Sequence, residues 1–222
     1  MFFLKLLILE FKQNIRRYND IFMPLWFLIL SMLIFSIGFQ QDSSILKKTA
    51  PSIIWVSVLL SLLLSANQLF TQDDDNGFLE QVLLSPTSLL TFVWVKAIIY
   101  WLKICLPLLL LLPVIGISFS LSYFEIKIIA ITLLLGTPSF VLFATLGAAI
   151  ILRAHHNAIL LSLLILPLCI PILIFGLSII DDASCGLSFT TPLCFLSALL
   201  LTSATLLPFV TAFALRTGIH YA

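Results

Sequence analysis

Charge is what this 222-residue sequence has least of: only 9% of its residues are Asp, Glu, Lys or Arg, against 61% that are hydrophobic. Soluble domains carry roughly 25% charged and 45–50% apolar residues, so a water-soluble globular protein is excluded. Histidine is as scarce, with three residues. Membrane enzymes need convergent acids, bases or metal ligands on helix faces, and almost nothing of that kind exists here. The four cysteines, Cys105, Cys169, Cys185 and Cys194, follow no C-x-x-C spacing, which argues against a zinc site or a disulfide framework. Cys185 and Cys194, nine apart around one loop, are expected to stay unpaired. No G-x-x-x-x-G-K-[ST] is present, and the one Gly-Thr-Pro string, Gly136 to Pro138, lies inside an apolar run where no phosphate is cradled. A net charge of +1 offers no basic surface for nucleic acid.

Long apolar runs are what the chain does have. At roughly 20 residues per crossing, they predict an all-α polytopic membrane protein with about six spans and no large domain outside the bilayer. The spans fall near 21–39, 51–70, 92–117, 126–152, 158–180 and 192–215. Ahead of them, residues 1–20 interleave Phe3, Leu6, Leu7, Leu9 and Phe11 with Lys5, Glu10, Lys12, Arg16 and Arg17. This stretch is too polar to cross and has no small-residue cleavage site, so it reads as a retained interfacial helix.

Orientation follows from Lys and Arg near the span ends. One face receives Lys5, Lys12, Arg16, Arg17, Lys96, Arg153 and Arg216, the other only Lys47, Lys48 and Lys127. Both termini are therefore expected in the cytoplasm, as is the polar loop of residues 71–88. His155, His156 and His220 fall on that same face and read as solvated turn and tail residues.

That loop is the informative segment. In QDDDNGFLEQVLLSP, Asp73, Asp74 and Asp75 precede a two-turn amphipathic stretch, and carboxylates suit the positive end of a helix. Gly77 permits a sharp entry and Pro86 a stop. A short helix is predicted whose apolar residues Phe78, Leu79, Val82 and Leu83 need a surface: a partner, the protein's own bundle or the lipid interface. Elsewhere, Ser57, Ser61 and Ser65 recur every four residues, as small residues do where helices pack closely. Lys103 lies seven residues beyond Lys96, about 10 Å deeper at 1.5 Å per residue; it reads as a snorkelling side chain or as a contact to an anionic ligand or lipid.

The acids, then Gly-x-Leu-Glu, then Ser-Pro after an apolar span resemble the type-2 ABC exporter permeases. MPLWFLIL at Met23 to Leu30, the run from Ala50 to Leu64, LLLGTPSF at Leu133 to Phe140, the run from Leu160 to Gly176 and ATLLPFVTAFALR at Ala204 to Arg216 narrow the match. Together they are similar to the haem exporter protein B family, the membrane subunits of the cytochrome c maturation ABC complex. Family members often carry a Glu-Arg pair where this chain has Asn67 and Gln68.

The resemblance implies a six-helix permease that works as a pair, above a separate ATP-binding subunit and beside other maturation subunits at the bacterial inner membrane. Its role would be to couple ATP hydrolysis to haem export or to release of a haem-loaded periplasmic chaperone. The residues assigned to coupling are Asp75, Gly77, Phe78, Leu79, Glu80, Val82, Leu83 and Pro86. Haem, as transported or neighbouring ligand, would meet Trp55 through its porphyrin face or Lys103 through its propionates, with no stable axial ligand from this chain. A structural assembly subunit without a transport path is the competing reading, and a catalytic residue or metal site is expected in neither.

Overall fold

Serine caps set the points at which two of the apolar runs become helices. The computed structural model describes residues 18–38, 43–84, 88–152 and 158–219. They form α1 (Tyr18–Gly38), α2 (Ser43–Ala66), α3 (Gln68–Asp75), α4 (Phe78–Leu84), α5 (Leu89–Ser118), α6 (Tyr123–Ile151), α7 (Ala158–Ser184) and α8 (Thr190–Ile219), with no strand among the described residues. The greater part of the expected interfacial helix, together with Pro86, His155, His156 and His220, lies outside the described residues.

Ser88 caps α5 by accepting the Thr91 backbone N–H at 3.3 Å. At the start of α6 a capping box closes: Ser122 Oγ accepts from the Glu125 N–H, and Glu125 Oε2 accepts from the Ser122 N–H at 2.6 Å. Such a box satisfies two donors that the first helical turn leaves open. Glu125 also pairs with Lys47 at 3.3 Å, which ties the beginning of α2 to the beginning of α6.

Among the described residues, five stretches are long and apolar enough to cross a membrane: Ile45–Asp75, Leu89–Ser118, Tyr123–Ile151, Leu160–Ser184 and Thr190–Thr217. The sequence count of six differs at α1, whose apolar part, Phe22–Gly38, is shorter than the other five. Large apolar side chains cover the outside of the bundle, among them Ile117, Leu163, Phe209 and Phe213. An apolar exterior of that extent suits lipid and not water.

The core is organised around α6, which packs on α2, α5, α7 and α8. Beside large apolar side chains such as Ile129, Leu133 and Phe140, its inward residues include the small or hydroxylated Gly136, Thr137, Ser139, Ala144, Thr145, Gly147 and Ala148, and small residues let helix backbones approach in the absence of a hydrophobic drive between them. Where a Cβ on Gly147 would stand, Ile165 of α7 already lies 2.4 Å away. Hydroxyls tie the other helices: Ser61 donates to the Pro24 carbonyl at 2.6 Å, joining α2 to α1, and Trp101 Nε1 donates to Thr137 Oγ1 at 3.0 Å, joining α5 to α6.

Candidate functional site

The residues between α2 and α5 build an elbow at one end of the bundle. α2 stops at Ala66, Asn67 makes a turn, and α3 carries the chain on through the three aspartates. Gly77 then reverses it with a φ of +66°, a conformation that costs a glycine little because it has no Cβ. The Gly77 N–H closes this turn on the Asp74 carbonyl at 2.9 Å, and α4 follows. The elbow's first helix begins at Gln68, three residues before the polar loop read from the sequence, because the helix resumes directly after Asn67.

The elbow is fastened to the bundle by its apolar side. Leu79 is fully buried and Val82 nearly so. Phe70 and Phe78 both pack on Phe92 of α5, with ring centroids 6.3 and 6.1 Å apart. Of the three covers the sequence left open for Leu79 and Val82, a partner, the protein's own bundle or the lipid interface, the bundle is the one that buries both. Three residues apart, they share one helix face. The solvent face carries Asp74, Asp75, Asn76, Glu80 and Gln81 instead. Pro86 lies outside the described residues, so its expected stop is not part of this geometry.

Of the three aspartates, Asp73 turns inward. Its Oδ2 lies 2.6 Å from Lys96 Nζ, and the two side chains are only 13% and 10% exposed. Lys96 also sits over the Phe92 ring, 5.6 Å from the centroid, so the ammonium is held by a carboxylate and a π face together. The sequence placed Lys96 only by its side of the membrane and its spacing to Lys103, and this pair was passed over. The signal was present nonetheless: a lysine inside an apolar run requires a partner, and an acidic run one helix away supplies it. Lys103, two turns on, is half-buried and engaged within the fold.

Trp55 was expected near the outer end of α2 as a surface for a porphyrin. It is fully buried, packed edge-to-face on Phe140 at 5.7 Å and seated where Gly136 and Gly176 leave room. It is therefore a core residue of this chain and presents no face to a ligand. Cys185 and Cys194 are exposed and not bonded to each other, while Cys105 and Cys169 are buried. Among the described residues no three His, Cys, Asp or Glu side chains gather as a metal site would require.

Comparison with known proteins gives this geometry its context. The CcmB protein family model matches residues 1–218. The chain is 37% identical to heme exporter protein B of Haemophilus influenzae over 216 residues, covering 97% of this chain and 98% of that protein. Heme exporter protein B of Escherichia coli K12 is 38% identical over 220 residues, or 99% and 100% of the two chains. The Pseudomonas aeruginosa protein of the same name is 34% identical over 214 residues, 96% of each.

Proposed function

This chain belongs to the CcmB protein family, and from that membership we propose that it is the permease subunit of an ABC transporter that serves haem export in cytochrome c maturation. The near full-length similarity to heme exporter protein B carries the reading. The apolar helices make the chain a multi-pass bacterial membrane protein. In this reading α1 is a sixth span, both termini are cytoplasmic, and the inner membrane is the site of action. The α3–α4 elbow then lies on the cytoplasmic side.

A permease without a P-loop depends on a separate ATP-binding subunit, and the elbow is the element suited to meet it. Its α4 lies outside the five apolar spans and its α3 forms the polar end of one, Ile45–Asp75; it is anchored by Leu79, Val82 and Phe78, and presents Asp74, Asp75, Glu80 and Gln81 outward. A rigid polar ridge of this kind fits a cleft with basic and hydrogen-bonding groups, because charge complementarity sets register and partner choice. ATP-driven closure of two such subunits would move the ridges of two permease chains, and that motion would drive haem movement or release of the haem-loaded chaperone. Other maturation subunits complete the complex. Haem passes as substrate, with axial ligation left to a partner; changing His155 and His156 together to Ala should leave the haem absorption of the purified complex unaltered, and its loss would assign ligation to this chain.

The docking experiment reverses charge on the ridge. Asp75→Lys with Glu80→Lys should abolish copurification of the ATP-binding subunit and cytochrome c maturation, with the level of this chain in the membrane unchanged. Full binding and maturation in that double variant would move the docking surface elsewhere, and normal maturation without any bound ATPase would favour the assembly-subunit reading.

A further inference from the structure

We propose that Asp73 and Lys96 act as a positioning pair that transmits movement of the elbow to α5. The inference rests on the coupling role proposed above for α3 and α4 and names the route by which their motion enters the bundle.

The aromatic and ionic anchors of the elbow and a hydrogen-bonded tie to α2 converge on one stripe of α5. Phe92 receives Phe70 and Phe78, Lys96 receives Asp73 at 2.6 Å, and Tyr100 donates to the Leu62 carbonyl at 2.5 Å, with its hydroxyl 2.8 Å from Ser65 Oγ. These three α5 residues are spaced by four and so follow one another along a single face. The contacts differ in kind. Aromatic packing tolerates sliding, whereas a largely desolvated ion pair resists separation, because each charge left alone would be buried without compensation. The helix on the other side is interrupted: Asn67 breaks α2 from α3, so a displaced α3 can pivot there. With a pivot toward α2 and a charged clasp on α5, a push on the ridge is delivered to α5.

The pair also lies at a suitable depth. α5 spans 30 residues, about 45 Å at 1.5 Å per residue, against roughly 30 Å of hydrocarbon. Lys96, seven residues or about 10 Å from the start of α5, therefore stands near its elbow end, where a charged clasp is tolerated.

The test uses the complex assembled with its ATP-binding subunit. Asp73→Asn and Lys96→Gln should each leave the ATPase bound and hydrolysing while cytochrome c maturation falls about fivefold or more, the lower end of measured coupling effects. The exchange Asp73→Lys with Lys96→Asp should recover much of the loss, which assigns the defect to the ion pair, while unchanged ATPase binding, hydrolysis and membrane level in the single variants are what a merely structural role does not predict. Should single variants fail to accumulate, Asp73→Leu with Lys96→Met removes both charges without stranding one, and it should fold yet remain defective. Full maturation in that variant, or in the single ones, overturns the proposal. Loss of the bound ATPase from the single variants also overturns it, by making the pair a support for the docking ridge alone. Failure of the docking role itself reads differently, as retained ATPase binding after charge reversal at Asp75 and Glu80.

Discussion

A methyl group on Gly176 would stand 2.4 Å from Trp55 Cζ2, and one on Gly136 would stand 2.3 Å from Cη2 of the same ring. One indole thus occupies the space that two glycines, on α7 and α6, leave open, and α2 is locked to both helices through it. The buried ring has nowhere to retreat, since Phe140 closes another side.

Gly136→Ala should accordingly destabilise the bundle by about 1–3 kcal/mol, the usual cost of overpacking a filled core. A lowered midpoint of thermal unfolding in detergent measures it. Trp55→Phe in the same chain should recover part of the loss, because the smaller ring lacks the atoms that collide. Strict additivity of the two changes would show that the clash is not the cause.

Leu79 and Glu80 are adjacent but should respond in opposite ways. Leu79→Asp buries a carboxylate where none is paired, at a cost of several kcal/mol, so the level of the chain in the membrane should fall. Glu80→Lys, on the exposed side, should leave that level unchanged and weaken ATPase binding. Immunoblots of membranes beside copurification separate the two effects, and a stable Leu79→Asp chain would contradict the burial of α4.

Two turns with positive φ offer a paired stability test. Ser120 has a φ of +55° and Gly77 of +66°, and neither conformation suits a side chain. Replacing Ser120 with Gly should stabilise by about 0.5–1 kcal/mol, and replacing Gly77 with Ala should cost about as much. No atom lies within 4 Å of a Cβ added at Gly77, so backbone strain alone would be responsible. Thermal unfolding of both variants in detergent provides the comparison.

Cysteine labelling tests orientation without new fusions. Cys185 is exposed in the turn between α7 and α8, whereas Cys105 and Cys169 are buried. In a chain carrying Cys194→Ser, to remove the second exposed thiol, a membrane-impermeant maleimide applied to intact spheroplasts should modify Cys185 and spare the two buried thiols, and adding Cys185→Ser should remove that signal. Labelling of Cys185 only after lysis would invert the orientation and place the elbow outside.

The sequence alone determined the environment and the class. Composition is additive along a chain, so 61% hydrophobic residues impose a bilayer whatever the contacts. Likewise, an elbow at Gly77 after a run of acids could be read from local chemistry, as could the resemblance to a family of exporters. The count of spans was less secure at α1, where the apolar part is short and length is the whole signal.

The tertiary structure decided which side chains face which partner. Leu79 and Val82 have the pattern of an exposed docking face and of a buried anchor equally, because amphipathic spacing marks an apolar side without saying what covers it. Trp55 is a surface aromatic in one packing and a core plug in another; Gly136 and Gly176, 81 and 121 residues further along the chain, settle it by leaving space for the ring. Asp73 is no different in sequence from Asp74 and Asp75, yet it alone of the three reaches Lys96. The choice among identical neighbours depends on the rotation of α3 against α5, and that rotation is fixed by contacts between helices that no local pattern contains.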